Sequence, residues 1–229
     1  IDFEFYGSNI DLSLFQGYIP VSVSGTAGFY GHLQGDMDDP YLQLEAGASD
    51  GQIMNQPYHT LRVSAVGNMD GVVIKKMTVQ NESNEVIHSI QGIVGFKGDH
   101  NVDLVINTKD ARMENIAAVL LPGQPITGNI DNNLHLTGTL DNIKASGHIL
   151  FHEGSYYGIL LTAAEGDYTY DAGNTSLNNF VIKSPFADVK ISGSVRNNNA
   201  LDFDIDADNV NFSKMPLHLP YPVEGNGSF

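Results

Sequence analysis

His148 and His152 stand four residues apart and are followed by Glu153. On a helix this spacing would bring two imidazoles and a carboxylate onto one metal ion. The residues between them, Ile149, Leu150 and Phe151, read as a strand, along which four residues span about 13 Å and the two rings do not converge. No metal site is therefore expected there. The acidic runs at 36–39 and 202–208 invite a comparison with calcium loops, but they match neither an EF-hand nor the glycine-rich calcium repeat. Alternating acids on a solvent face explain them better. The chain has no Gly-x-Ser-x-Gly, His-Glu-x-x-His or P-loop pattern and no cysteine nucleophile, so we expect neither an enzyme nor a cofactor. Sequons at Asn81, Asn174, Asn211 and Asn226 are what an Asn-rich chain produces by chance.

The chemistry that remains is solvation of apolar matter. Ile1, Phe3 and Phe5 alternate with Asp2 and Glu4, and the same pattern returns at Val102, Leu104 and Ile106, at Leu134 and Leu136, at Val189 and Ile191, and at Leu201, Phe203 and Ile205. Period two puts one set of side chains on one face of a sheet. These thirteen residues are the candidate lipid-binding set: they would point into an apolar groove and hold acyl chains, with head groups at its open lip. The competing reading is that they fill a closed core.

The elements that must position them read as strands almost throughout. Further strands are expected at 41–46, 61–66, 72–79, 86–96, 145–151, 158–163, 167–170, 179–183 and 189–195, separated by Asn/Asp/Gly turns about ten residues apart. Only 111–121 has helical spacing, through Met113, Ile116, Ala117 and Leu120. Its counterparts at 11–19 and 212–219 are weaker, so one or two turns are expected at most.

The chain repeats itself. Stretches beginning at Ile1, Val102 and Leu201 share an alternating strand, an Asp/Asn-rich turn, a short mixed segment, a Pro and a Gly: Pro20 and Gly25, Pro125 and Gly128, Pro222 and Gly225. Between them Gly35 matches Gly138, Gly51 matches Gly154, Gly71 matches Gly173 and Gly92 matches Gly193. The units expected are 1–101, 102–200 and a partial 201–229, one continuous array that reads as a piece of a longer one, since terminal repeats are normally modified as caps.

Lys and Arg number 11 against 27 Asp and Glu, a net charge of −16. Such a polyanion repels nucleic acid and anionic bilayers, so no nucleic-acid partner is expected. The absence of cysteine permits the cytosol and an oxidising periplasm alike. No run approaches the roughly 18 apolar residues of a membrane span, and Ile1 does not open a signal peptide. A sheet with one greasy face and a period of about a hundred residues does not suit a narrow β-helix. The fold expected is all-β: an elongated, mostly antiparallel sheet bent into a U-shaped trough around an apolar interior. Such an interior exposes more contiguous apolar surface than soluble monomers tolerate, and large patches mark binding sites.

The runs LDFDIDAD…PVEGNG and LHLTGTLDNIKASGHI resemble the repeats of the TamB (translocation and assembly module) family, within the wider AsmA-like group. The resemblance covers essentially the whole chain and rests on glycines and alternation. It implies a periplasmic β-taco of a diderm bacterium, anchored in the inner membrane and meeting an outer-membrane Omp85-type, TamA-like barrel through parts outside this segment. It also implies movement of glycerophospholipid between the membranes, with a link to outer-membrane protein assembly. Two other readings stand beside it. One is a structural or adhesive surface β-repeat that binds proteins or glycans through residues such as Tyr156 and Tyr157. The other is a chaperone-like groove whose strand edges pair with unfolded outer-membrane strands.

Overall fold

The computed structural model describes residues 1–15, 22–53, 56–120, 123–198, 200–214 and 225–228. Pro20, Leu121 and Pro222, and the helical counterparts expected at 16–19 and 215–219, lie outside them. The described chain is all-β apart from three short helical pieces. The strands are β1 (Asp2–Asp11), β2 (Val23–Gly35), β3 (Pro40–Ile53), β4 (Gln56–Asn68), β5 (Gly71–Gln80), β6 (Val86–Gly95), β7 (Asn101–Arg112), β8 (Ile126–Thr139) and β9 (Asn142–Tyr156). They continue with β10 (Ile159–Leu161), β11 (Ala163–Asp171), β12 (Asn174–Lys183), β13 (Asp188–Val195), β14 (Leu201–Asp208), β15 (Val210–Asn211) and β16 (Asn226–Gly227).

Fourteen strands form one open antiparallel sheet whose order follows the chain from β1 to β14, with β10 paired back onto β9; β15 and β16 pair separately. β1 and β14 are its edges, so the sheet does not close into a barrel. Hairpins dictate most of this order, because turns of a few residues leave a strand nowhere to go but beside its predecessor; the longer connections, 12–22 and 113–125, carry helical pieces. Between β11 and β12, for example, Ala172 and Gly173 both take positive φ, the two-residue turn whose twist suits antiparallel strands.

The alternating stretches that begin at Ile1, Val102 and Leu201 each run on into a helical piece. Leu12–Phe15 forms a 3-10 turn after β1, α1 (Met113–Leu120) follows β7, and Phe212–Lys214 forms a 3-10 turn after β15. Before each of them, Asn9, Asp110 and Asn209 take positive φ near 50°. Asn and Asp tolerate this left-handed region better than other side chains, which is why the Asp/Asn turn sits there.

The residues fall into two compact units, Ile1–Lys109 with His135–Ile143, and Asp110–Leu134 with Lys144–Phe229. In the first, Leu12 packs with Ala48, Tyr58, Val79 and Ile87. In the second, Met113, Ile116 and Ala117 of α1 close over Ile130, Phe151 and Ala164, and Val210 and Phe212 close over Ala187 and Ala207. These clusters are small.

Candidate apolar binding face

Directly paired residues of an antiparallel sheet share a face, so the pairing shows how far the apolar side runs within each unit. In the first unit Phe3 pairs with Leu33, and the row continues through Leu42, Gly67, Val72, Val94 and Val102. The next row runs Phe5, Gly31, Leu44, Ala65, Ile74, Gly92 and Leu104. The one after it runs Gly7, Phe29, Ala46, Val63, Met77, Ile90 and Ile106. In the second unit Phe151, Ala164, Ile182, Val189 and Ala207 form a row, as do Phe180, Ile191 and Ile205. Gly147, Tyr168, Leu177, Gly193 and Phe203 form another.

Of the sequence-derived residues Phe3, Phe5, Val102, Leu104, Ile106, Val189, Ile191, Phe203 and Ile205 fall on these rows, whereas Leu201 pairs with Val195 beside Thr175, and accessibility over the whole set is graded. Ile1 and Phe3 are exposed, while Phe5, Leu104, Ile106, Leu134, Leu136, Val189, Ile191 and Phe203 are half-buried. Leu201 is 70 % and Ile205 59 % exposed, yet Ala207 on the same strand is 6 % and nearby Val210 1 %. Val102 is buried although it shares a row with exposed Phe3, and it offers nothing to a ligand. The gradient has a physical cause. Among the described residues the helical pieces pack on one end of the strands, where Val79 and Ala48 lie buried, and away from them Phe3 and Ile205 are exposed, although Val102 and Ala65 are buried there too.

Glycines keep the uncovered part low. A β-carbon on Gly31 would strike the ring of Phe5, one on Gly193 the ring of Phe203, and one on Gly7 the ring of Phe29. The rings lie down across strand glycines, with Phe5 edge-on to Phe29 at 5.9 Å and tilted against Phe3 at 6.0 Å. The apolar face is thus carpeted by its own aromatics.

The opposite face carries paired charges. His32 Nε2 lies 2.7 Å from Asp2 and His135 Nε2 2.7 Å from Asp103. His148 lies 2.8 Å from Asp167 and 3.3 Å from Glu165, and its hydrogen bond to Asp167 holds its pKa above the ordinary value. His152 instead approaches Asp131 at 3.3 Å, so the two histidines of β9 engage different carboxylates. Among the described residues no group of three such side chains is placed to hold a metal ion.

Sequence reasoning missed His88. It lies in the row Leu61, Val79, His88 and Thr108, with Nδ1 2.9 Å from the Thr108 hydroxyl and Nε2 buried with no hydrogen-bond partner among the described residues. Desolvation pushes its pKa down. Nothing in the alternation sets a lone histidine apart. No helix among the described residues is long and apolar enough to cross a membrane. No protein-family model, curated protein or solved structure matches this chain.

Proposed function

We propose that the uncovered apolar face holds the acyl chains of glycerophospholipids, as a segment of a bridge-like lipid carrier of the bacterial periplasm. The observation that carries the reading is the graded face: apolar rows in register across many strands, buried beside the helical pieces at Val79 and Ala207 and exposed at Phe3 and Ile205 away from them. Each methylene moved from water onto such a surface contributes roughly 0.8 kcal/mol, so a chain lying across the rows is retained. Successive rows offer similar contacts, so sliding from one to the next costs little. The resemblance to AsmA-like repeats supports the same reading and adds the inner-membrane anchor and the Omp85-type barrel as partners of a longer protein.

A second reading, adhesion through the outer surface, draws on Tyr156 and Tyr157. Their exposed rings meet edge to face at 4.8 Å beside the β9–β10 turn. The test is to purify the protein without detergent, extract it with organic solvent and identify the lipids by mass spectrometry, alongside L104D/F203D. Phospholipid on the parent and none on the folded variant supports the carrier. A lipid-free, folded parent favours adhesion.

A further inference from the structure

We propose that the open edge of β14 is an acceptor for a further extended strand carrying His-Leu-x-Gly, of the kind this chain already carries twice. β1, β7 and β14 open with the same alternation and place Asp2, Asp103 and Asp202 at its second position. In β1 and β7 that aspartate is engaged by a histidine of the next strand. His32 stands opposite Glu4 and reaches diagonally to Asp2 at 2.7 Å, and His135 reaches Asp103 at 2.7 Å. Both histidines open the sequence His-Leu-x-Gly, which ends at Gly35 and Gly138, each at φ +103°.

Among the described residues β14 has β13 on one side and no further strand of the sheet on the other. The direction of an incoming strand is already set: β16 pairs antiparallel with β15, Asn226 opposite Asn211 and Gly227 opposite Val210. In the same way Thr26 and Ala27 of β2 pair with Asp11 and Ile10. Charge selects the incoming strand. Asp202, Asp204, Asp206 and Asp208 are all exposed along β14. Among the described residues only Lys190, at 3.5 Å from Asp208, and Arg196, at 3.6 Å from Asp202, approach them, both from the β13 side. A second β14 or a β1 laid against this edge would set acid against acid, which destabilises cross-strand pairs. A strand with an imidazole opposite Asp204, the place His32 takes opposite Glu4, reaches diagonally to Asp202 and meets its complement. The edge therefore admits another unit of this repeat and discourages pairing between like edges.

The probe is a capped peptide of residues 30–36, which stops short of the place β16 holds opposite β15, titrated to millimolar concentration against the isotope-labelled chain and followed by amide chemical shifts. Shifts are expected along 201–208 and not along β1. Replacing the peptide histidine with Ala, or Asp202→Asn in the protein, should each weaken binding by up to about fivefold, the range of an exposed ion pair. The two changes together should be no worse than either alone. Asp206→Asn, an equal loss of charge, should leave binding unchanged. Absent shifts on β14, equal binding of a scrambled peptide, or additive effects of the two changes would overturn the proposal.

Discussion

The carbonyl oxygen of Ser24 lies where a β-carbon on Gly51 would have to be, and Thr127 stands in the same relation to Gly154. Backbone cannot retreat as a flexible side chain does, so any substituent must push two strands apart. Gly51→Ala should cost about 2–4 kcal/mol, whereas Gly47→Ala, whose β-carbon would meet only the Leu61 carbonyl at 3.5 Å, should cost less than about 1 kcal/mol. Urea unfolding of the two variants checks this, and equal costs would dismiss the crowding argument.

The same Ser24 carbonyl accepts a hydrogen bond from the Tyr58 hydroxyl at 2.7 Å, in a half-dry setting where burial pushes the phenol pKa up. Tyr58→Phe keeps the ring in its cluster and leaves the carbonyl with one partner fewer. A loss of about 1 kcal/mol is expected, read as a lower urea midpoint at unchanged slope.

His88 gives the fold an acid-side weakness. Its folded pKa lies below the ordinary value through desolvation, so the unfolded chain takes up this proton first. Stability falls as pH drops below about 6.5 and levels off once the folded form is protonated as well. His148 has the opposite sign: its raised pKa gives stability present below about 6.5 that is lost as pH rises through the folded value. At 42 % side-chain exposure that contribution is heavily screened. Melting curves of the parent and His88→Val between pH 5 and 8 should diverge on the acid side, the parent losing more. Parallel curves would remove His88 from the account.

Much of this architecture was legible in the sequence, and where it was not, glycine was the reason. The alternation at Ile1–Phe5, Val189–Val195 and Leu201–Ala207 gave strands and faces, because period two survives wherever the register is unbroken. The strand at Val23–Gly35 was missed: Gly25, Gly28 and Gly31 look like turn residues, whereas here they make room for close strands and flattened rings. The segment 158–163 read as one strand holds a turn at Tyr157 and Gly158, the short β10 and the start of β11. Several strands are longer than their alternation, because bulges interrupt it. Asn179 at positive φ shifts the register between Leu177 and Phe180. Of the alternating residues on paired strands, the shared face was legible and the depth was not. Val102 and Leu104 look alike in sequence, and only the packing makes one buried and the other half-open.

Helix α1 should behave as a lid on the second unit's core. Met113 is 8 % and Ala117 3 % exposed, both against Phe151 and Ala164, so Met113→Ala should lose about 2–3 kcal/mol through the cavity it leaves. Hydrogen exchange should then quicken first at β8, β9 and β11, which line that cluster. Uniform acceleration over both units would mean that the lid is no separate support.

Aspartate scanning separates the covered end of the face from the open one. Val79 is 2 % exposed beneath the first helical piece, and a carboxylate there loses water and faces only the cross-strand imidazole of His88, whose protonation burial opposes. Val79→Asp should therefore leave the first unit unfolded at neutral pH, by circular dichroism. Leu104 shares the face but is only half-buried, and opposite it stands Gly92, which leaves space for a hydrated side chain. Leu104→Asp should retain the strand spectrum at a cost of about 1–2 kcal/mol while weakening the binding of an environment-sensitive apolar dye. If both variants unfold, the rows around Leu104 are a closed core. If Leu104→Asp folds and binds dye as the parent does, the dye and any acyl chain lie elsewhere. A folded, dye-poor Leu104→Asp beside an unfolded Val79→Asp is the pattern an open, one-end-covered apolar face produces.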